Sequence, residues 1–249
     1  MAGLGPGDPG LMAPLVSAAL AQARVVAGYS TYLDLIEESA LAGKTVIATA
    51  MMGEVERCGQ AIESALSGLD TLVVSGGDPG VYGMAGLVLE MLEAKGLTGT
   101  VPFEVLPGIP ALAAAAALLG APLTQDFACV SLSDLLTPWD KIEARLRGAL
   151  AGDFVLVLYN PRSKKRSGLL AQALDLARDH RGPQTPVGMV RQAYRQGQEV
   201  RVCTLDRADP EAADMLTIVI VGNSQTRLVG DRMLTPRGYA GKYDLGSQA

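Results

Sequence analysis

A short apolar run, Thr71-Leu72-Val73-Val74-Ser75, leads without a linker into Gly76-Gly77-Asp78-Pro79-Gly80. A run of that length bounded by turn residues reads as a buried strand. The glycines after it read as a sharp exit into the next element. The rest of the first half repeats the alternation. A glycine-rich turn, Gly3-Leu4-Gly5-Pro6-Gly7-Asp8-Pro9, precedes an Ala/Leu helix over 10–23. A strand over 24–27 ends at Gly28-Tyr29, and an amphipathic helix over 53–67 is expected to bury Val55, Ile62 and Leu66. A helix over 82–95, a strand over 101–106 and an Ala-rich helix over 109–119 follow. Strands alternating with helices imply parallel or mixed sheets covered on their faces, an α/β fold.

Gly120-Ala121-Pro122-Leu123 reads as a break. It divides the chain into two α/β domains, 1–121 and 122–249, each of ordinary domain size. In the second, strands are expected over 127–132 and 154–158, with helices over 138–150 and 166–178. Strands over 186–190 and 199–203 form a hairpin, and Thr217–Val221 is a last strand ending at Gly222-Asn223. The tail over 241–249 is expected to fray.

Composition excludes several function classes. With 49% hydrophobic and 19% charged residues the chain can bury a real core, built from Ala, Leu and Val because it has three Phe and one Trp. The net charge of −5 argues against a nucleic-acid binder. Residues 1–122 hold 4 Lys+Arg against 12 Asp+Glu; residues 123–249 hold 17 against 14. The imbalance reads either as a solubility feature or as a second half that meets an anionic ligand. Cys58, Cys129 and Cys203 are far apart and odd in number, matching no zinc spacing and no disulfide framework. His180, between Asp179 and Arg181, is the one histidine, which disfavours a Ser-His-Asp triad or a His-based metal site. No apolar run reaches the ~18–20 residues of a membrane span, and the first residues lack signal-peptide blocks. The expectation is a cytoplasmic protein without a metal.

Four features need weighing. Gly3 and Gly5 fit the first places of a dinucleotide-binding G-x-G-x-x-G, but the third place is Asp8 and Pro6 occupies the turn. Gly43-Lys44-Thr45 resembles the end of a P-loop, yet the required earlier glycine is Glu38. Gly76-Gly77-Asp78-Pro79 follows a buried strand, where ligands of open α/β sheets sit. Its glycines would let backbone approach a ligand, with Asp78 as an acceptor; alternatively Asp78 is the N-cap of the next helix. Arg162, Lys164, Lys165 and Arg166 form a basic cluster before a helix, where positive charge is disfavoured. They are either a solvated helix start or receptors for an anion.

Together these segments resemble the class III methyltransferases that act on tetrapyrroles. The resemblance rests on Gly-Leu-Gly-Pro-Gly-Asp-Pro at 3–9, Gly-Gly-Asp-Pro at 76–79, Pro-Gly-Ile-Pro-Ala at 107–111 and Gly-Ala-Pro-Leu at 120–123, and covers nearly the whole chain. Further segments resemble the branch that methylates C17 of a precorrin-3B or cobalt-factor III macrocycle with ring contraction, on the way to cobalamin. These are Gly-Tyr-Ser-Thr-Tyr at 28–32, Ser-Leu-Ser-Asp-Leu-Leu-Thr-Pro-Trp at 131–139, Tyr-Asn-Pro-Arg-Ser-Lys-Lys-Arg at 159–166, Gly-Asn-Ser at 222–224 and Thr-Pro-Arg-Gly-Tyr at 235–239. Relatives generally have a longer first strand, and often Thr or Ser where Pro110 stands. Other readings of the same chain are a C11 or C20 methylase, a non-catalytic nucleotide-type binding protein, or a dehydrogenase.

The resemblance implies two α/β domains with the active site in the cleft between them, a homodimer, and S-adenosylmethionine as cofactor. Carried over by position, the cofactor would touch Pro6, Gly76, Gly77, Asp78, Val81 and Tyr82. It would also touch Pro110, Ala111, Ser131, Leu132, Asn160 and Ala193. The relatives that methylate uroporphyrinogen carry an Asp where this chain has Gly28-Tyr29, so that residue has no counterpart here. Methyl transfer to an electron-rich ring carbon needs positioning more than a base. Ring contraction also needs a proton moved and charge on oxygen stabilised, for which Tyr29, Asp134 and Arg57 are candidates. The tetrapyrrole polycarboxylate substrate calls for cations, for which Arg162, Lys164, Lys165 and Arg237 are candidates.

Overall fold

The computed structural model describes residues 1–163 and 167–246. Two compact units emerge, Met1–Ala111 and Leu112–Ala249. The Ala-rich helix thus opens the second unit, whereas the sequence reading draws its boundary after that helix.

The first unit runs β1 (Ala2–Gly3), α1 (Pro14–Gln22), β2 (Val25–Tyr29), α2 (Ser30–Leu33), α3 (Glu38–Leu41), β3 (Thr45–Thr49), α4 (Glu54–Leu66), β4 (Thr71–Ser75) and α5 (Ala85–Ala94). Its sheet has the order β1-β4-β2-β3, and every pair is parallel. Both faces are covered. Val26 and Val74 pack with Leu4, Val16 and Leu20 on one side; their neighbours Ala27 and Val73 pack with Cys58, Ile62 and Val88 on the other. Alternate residues of a strand point to opposite faces, so a strand buried on both must be apolar throughout. That is why 71–75 reads so clearly. A fully buried valine such as Val74 contributes about 1.5–3 kcal/mol.

Several expectations fail here for identifiable reasons. The helix over 10–23 is split, because Pro14 opens α1 and holds Ala13 before it in an extended conformation. β3 has no counterpart in the sequence reading; it is an edge strand, and Val46 is 42% exposed. The segment 101–106 is not a continuous strand: β1 offers only two residues to pair with, so the segment meets it at one bridge, Leu106 to Ala2, and Val101 bridges Thr98 instead. On α4 the buried residues are Arg57, Cys58, Ala61 and Ile62. Val55 and Leu66, expected inside, are exposed.

The second unit runs α6 (Ala111–Leu119, whose first residue closes the first unit), β5 (Gly120–Ala121), β6 (Phe127–Ser131), α7 (Trp139–Ala151), β7 (Val155–Tyr159) and α8 (Leu169–Arg178). It continues with β8 (Pro186–Arg191), β9 (Glu199–Thr204), β10 (Thr217–Val221), β11 (Arg227–Val229) and β12 (Arg232–Leu234). The main sheet has the order β6-β7-β10-β8-β9. β6 and β7 are parallel, β10 is antiparallel to β7 and β8, and β8–β9 is the expected antiparallel hairpin. β7 and β10 are buried along their whole length. The small sheet β11-β12-β5 has no counterpart in the sequence reading. Among the described residues no helix is long and apolar enough to cross a membrane.

Candidate active site

In a parallel sheet all strands end at one edge, where the exits to the next elements gather. In the first unit the exits of β1 and β4 are locked together by backbone. Leu4 donates to Ser75 O (2.9 Å), Gly5 to Gly77 O (3.1 Å), and Gly77 back to Gly5 O (2.8 Å). The 107–111 segment closes on the same place. A Cβ on Gly108 would lie 2.2 Å from Gly77 O, and one on Gly3 would lie 2.5 Å from it. These glycines are therefore required by backbone meeting backbone. Gly77 also has φ +69°, and a Cβ there would meet Pro110 and Ala111 at 3.6 Å. The space beside Gly76, read from sequence as room for a ligand, holds the ring of Tyr32, 2.6 Å from where a Cβ would stand.

Asp78 joins two of these loops. Its Oδ1 accepts from Gly80 N at 2.8 Å and its Oδ2 from Gly108 N at 3.0 Å. It is not a helix cap: α5 begins at Ala85, and Met84 is its N-cap residue. Pro6 is buried, Val81 is half-buried, and Tyr82 is exposed with a left-handed φ of 53°.

In the second unit β6, β7 and β8 run in one direction, so Ser131, Tyr159 and Arg191 end at one edge. Here side chains hold the rim. Leu112 N, in the first turn of α6, donates to Tyr159 Oη at 2.9 Å. Asn160 Nδ2 donates to Ser131 Oγ at 2.9 Å. Leu132 is fully buried and donates its N–H to Tyr159 O at 2.9 Å. Asn160 has φ 51°, and Gln192 and Tyr194, flanking Ala193, have φ 49° and 56°. Of the six described non-glycine residues with left-handed φ, Met52, Tyr82, Asn160, Gln192 and Tyr194 all follow strand C-termini; Asp153 alone does not. Each costs about 1–3 kcal/mol, and such strain gathers at ligand sites.

The catalytic and substrate candidates are placed unevenly. Tyr29 ends β2, half-buried, edge-on to Tyr32 with ring centroids 5.4 Å apart. Asp134 is exposed in the loop after β6. Arg57 is buried, donating to Thr49 Oγ1 and to Met84 Sδ. Arg162 is engaged by Glu211 through an ion pair and a bond to its carbonyl at 3.4 Å, so it is not the unshared cation that the sequence pattern implies. Arg237 is exposed. Lys164, Lys165 and Arg166 lie outside the described residues. Among the described residues no three His, Cys, Asp or Glu side chains gather as a metal-holding group. Burial pushes the Cys58 thiol up, and Arg57 beside it only partly offsets this.

The sequence model of the tetrapyrrole (corrin/porphyrin) methylases matches residues 1–209. The chain belongs to the tetrapyrrole methylases. It is 48% identical over 238 residues to a probable cobalt-factor III C(17)-methyltransferase of Salmonella typhimurium, covering 95% of this chain and 97% of that protein. It resembles a crystal structure of the methyltransferase CobJ with a TM-score of 0.90 and 42% identity, covering 94% of this chain and 98% of that one. A uroporphyrin-III C-methyl transferase of Thermus thermophilus, solved with S-adenyl homocysteine, matches at TM-score 0.64 and 25% identity, covering 89% of this chain and 95% of that one. The methylase fold of two α/β domains is therefore the fold of this chain. Two features of this methylase escaped the sequence reading: Tyr159 as the partner of the first turn of α6, and Tyr32 as the filler beside Gly76. Both carry a signal, Tyr32 in the Gly-Tyr-Ser-Thr-Tyr segment and Tyr159 at the head of Tyr-Asn-Pro-Arg-Ser-Lys-Lys-Arg, but neither partner is legible, because Gly76 and Leu112 are far from them in sequence.

Proposed function

We propose that this methylase transfers a methyl group from S-adenosylmethionine to C17 of precorrin-3B or its cobalt-containing counterpart, with ring contraction, in cobalamin biosynthesis. The observation that carries the reading is the near-full-length identity to the Salmonella cobalt-factor III relative. The reading includes a homodimer in the cytoplasm.

The rims suit such a cofactor. Asn160 spends its amide N–H on Ser131 and keeps its carbonyl oxygen for a hydroxyl or ammonium donor, on a backbone already set in the left-handed region. In the first unit Pro6, Gly76, Gly77, Asp78, Val81, Tyr82, Pro110 and Ala111 would hold the cofactor. In the second, Ser131, Leu132, Asn160 and Ala193 would. Asp78 acts through the loops it joins, because both its oxygens already accept backbone N–H groups. When bound, the cofactor supplies an electrophilic methyl on a sulfonium. The chain's part is to fix the reacting atoms, and such positioning lowers a barrier by roughly 7–11 kcal/mol. Tyr29 and Asp134 are the groups proposed to hold and move the proton for ring contraction. Arg237, with Lys164 and Lys165, would pair with substrate carboxylates; Arg162 would do so only by exchanging Glu211 for the substrate.

Calorimetric titration with S-adenosylhomocysteine, on wild type and Asp78→Ala, tests the cofactor. The expected result is tight binding that weakens about tenfold, or about 1.4 kcal/mol, in the variant. Product analysis after incubation with precorrin-3B, and with its cobalt form, tests the position of the methyl group. A folded wild type that binds no S-adenosylhomocysteine sinks the reading.

A further inference from the structure

Among the described residues the side chains of Arg57 and Arg181 are buried, and the fold treats them differently. The Arg181 side chain, 4% exposed, has Asp153 at 3.2 Å and the carbonyls of Leu150, His180 and Phe154 at 3.1–3.3 Å. Its Nε, like that of Arg57, has no partner, but its terminal nitrogens meet a carboxylate and three carbonyls, and that is how a structural guanidinium is compensated. Arg57, 2% exposed, forms no ion pair with any described residue. One terminal nitrogen donates to the Thr49 hydroxyl and the other to Met84 Sδ at 3.2 Å, a weak acceptor. Its Nε has no partner. The nearby Glu54 is turned to Met52 N, from which it accepts at 3.3 Å. A buried charge left without a counter-ion costs several kcal/mol, so this one needs a reason.

Its position supplies one. Thr49 closes β3, and Met84 lies on the exit from β4, at the edge where parallel sheets bind ligands. The 50–53 loop beside Thr49 carries Met51 and Met52, 59% and 80% exposed, and Met52 has φ 71°. We infer that Arg57 is the receptor for a carboxylate, reached when the 50–53 loop moves aside. A guanidinium fork takes a carboxylate through two parallel bonds, and the Nε without a partner is one arm of that fork. The inference rests on the methylase reading, which offers two carboxylate sources: the amino-acid end of the cofactor and the acid side chains of the macrocycle.

Arg57→Met and Arg57→Lys test it through three readouts: the melting temperature without ligand, the affinity for S-adenosylhomocysteine, and KM for the macrocycle. Replacing an uncompensated charge by an apolar side chain of similar length should leave the melting temperature equal or higher. Ligand affinity should fall about tenfold or more, and Arg57→Lys should recover part of it. A weakened S-adenosylhomocysteine titration with unchanged KM assigns the cofactor's carboxylate. A raised KM with unchanged titration assigns the macrocycle's. An Arg57→Met protein that fails to fold or melts several degrees lower makes the guanidinium a structural strut and overturns the inference. Unchanged titration together with unchanged KM overturns it as well. A wild type that neither binds S-adenosylhomocysteine nor turns over sinks the methylase reading instead, and the melting comparison still judges Arg57.

Discussion

In the first unit the rim of the sheet is held mainly by backbone meeting backbone, with the Asp78 carboxylate joining two of its loops; in the second, side chains reach backbone and one another. Gly3 and Gly108 approach the Gly77 carbonyl so closely that neither has room for a Cβ, and Gly77 itself is held at a left-handed φ of +69°. At the second rim Tyr159 and Asn160 provide the contacts, and left-handed φ values at non-glycine residues set the corners. A backbone lattice has no slack, since there is no side chain to rotate away. A side-chain rim can lose one bond and keep its shape. The first rim should therefore tolerate almost no substitution, and the second should yield in small steps.

The largest effect is expected from Gly108→Ala. Its Cβ would stand 2.2 Å from Gly77 O, and backbone cannot yield cheaply. We expect a loss of about 3 kcal/mol or more in denaturant unfolding; a loss below about 1 kcal/mol would break the contrast between the rims. Next comes Tyr159→Phe, which removes the acceptor of the Leu112 N–H. The expected cost is about 1 kcal/mol with the fold retained, and a cost equal to that of Gly108→Ala would show that the second rim is no more forgiving.

The smallest effect is in acid. Asp214, just before β10, accepts from Arg191 Nε at the end of β8 at 2.8 Å. Burial pushes its carboxyl up, but the Arg191 guanidinium, the Thr217 hydroxyl and the Leu216 N–H together hold it below the ordinary carboxylate range. A carboxyl with a lowered folded value contributes stability above its unfolded value and loses it as pH falls through the folded one. Because the pair is partly exposed, the contribution is small. Melting curves of wild type and Asp214→Asn should converge as pH falls below about 4. Curves that stay a constant distance apart would remove Asp214 from the acid response.

Much of this was readable in advance where burial leaves one solution. β4 and β10 were placed to the residue because strands covered on both faces must be apolar throughout. β3 escaped because an edge strand half in water carries a mixed pattern. The segment 101–106 reads as a strand but meets β1 at a single bridge, since an extended apolar run still needs a partner and β1 offers two residues. Within the candidate site, Gly76, Gly77 and Asp78 stood out from sequence, but the space beside Gly76 belongs to Tyr32 and the carboxylate of Asp78 to Gly80 and Gly108.

The sequence by itself determined the alternation of strands and helices, the turns that end them, and the membership of the family, because those are written in local spacing and in short motifs. Only the tertiary structure decided which face of α4 is buried, that a guanidinium rather than Val55 lies on it, and which loops Asp78 joins. These depend on which distant segments meet at a sheet edge. Spacing along one helix ranks its faces by apolar content, but Arg57 is inside because β3 and the exit of β4 bring Thr49 and Met84 to it.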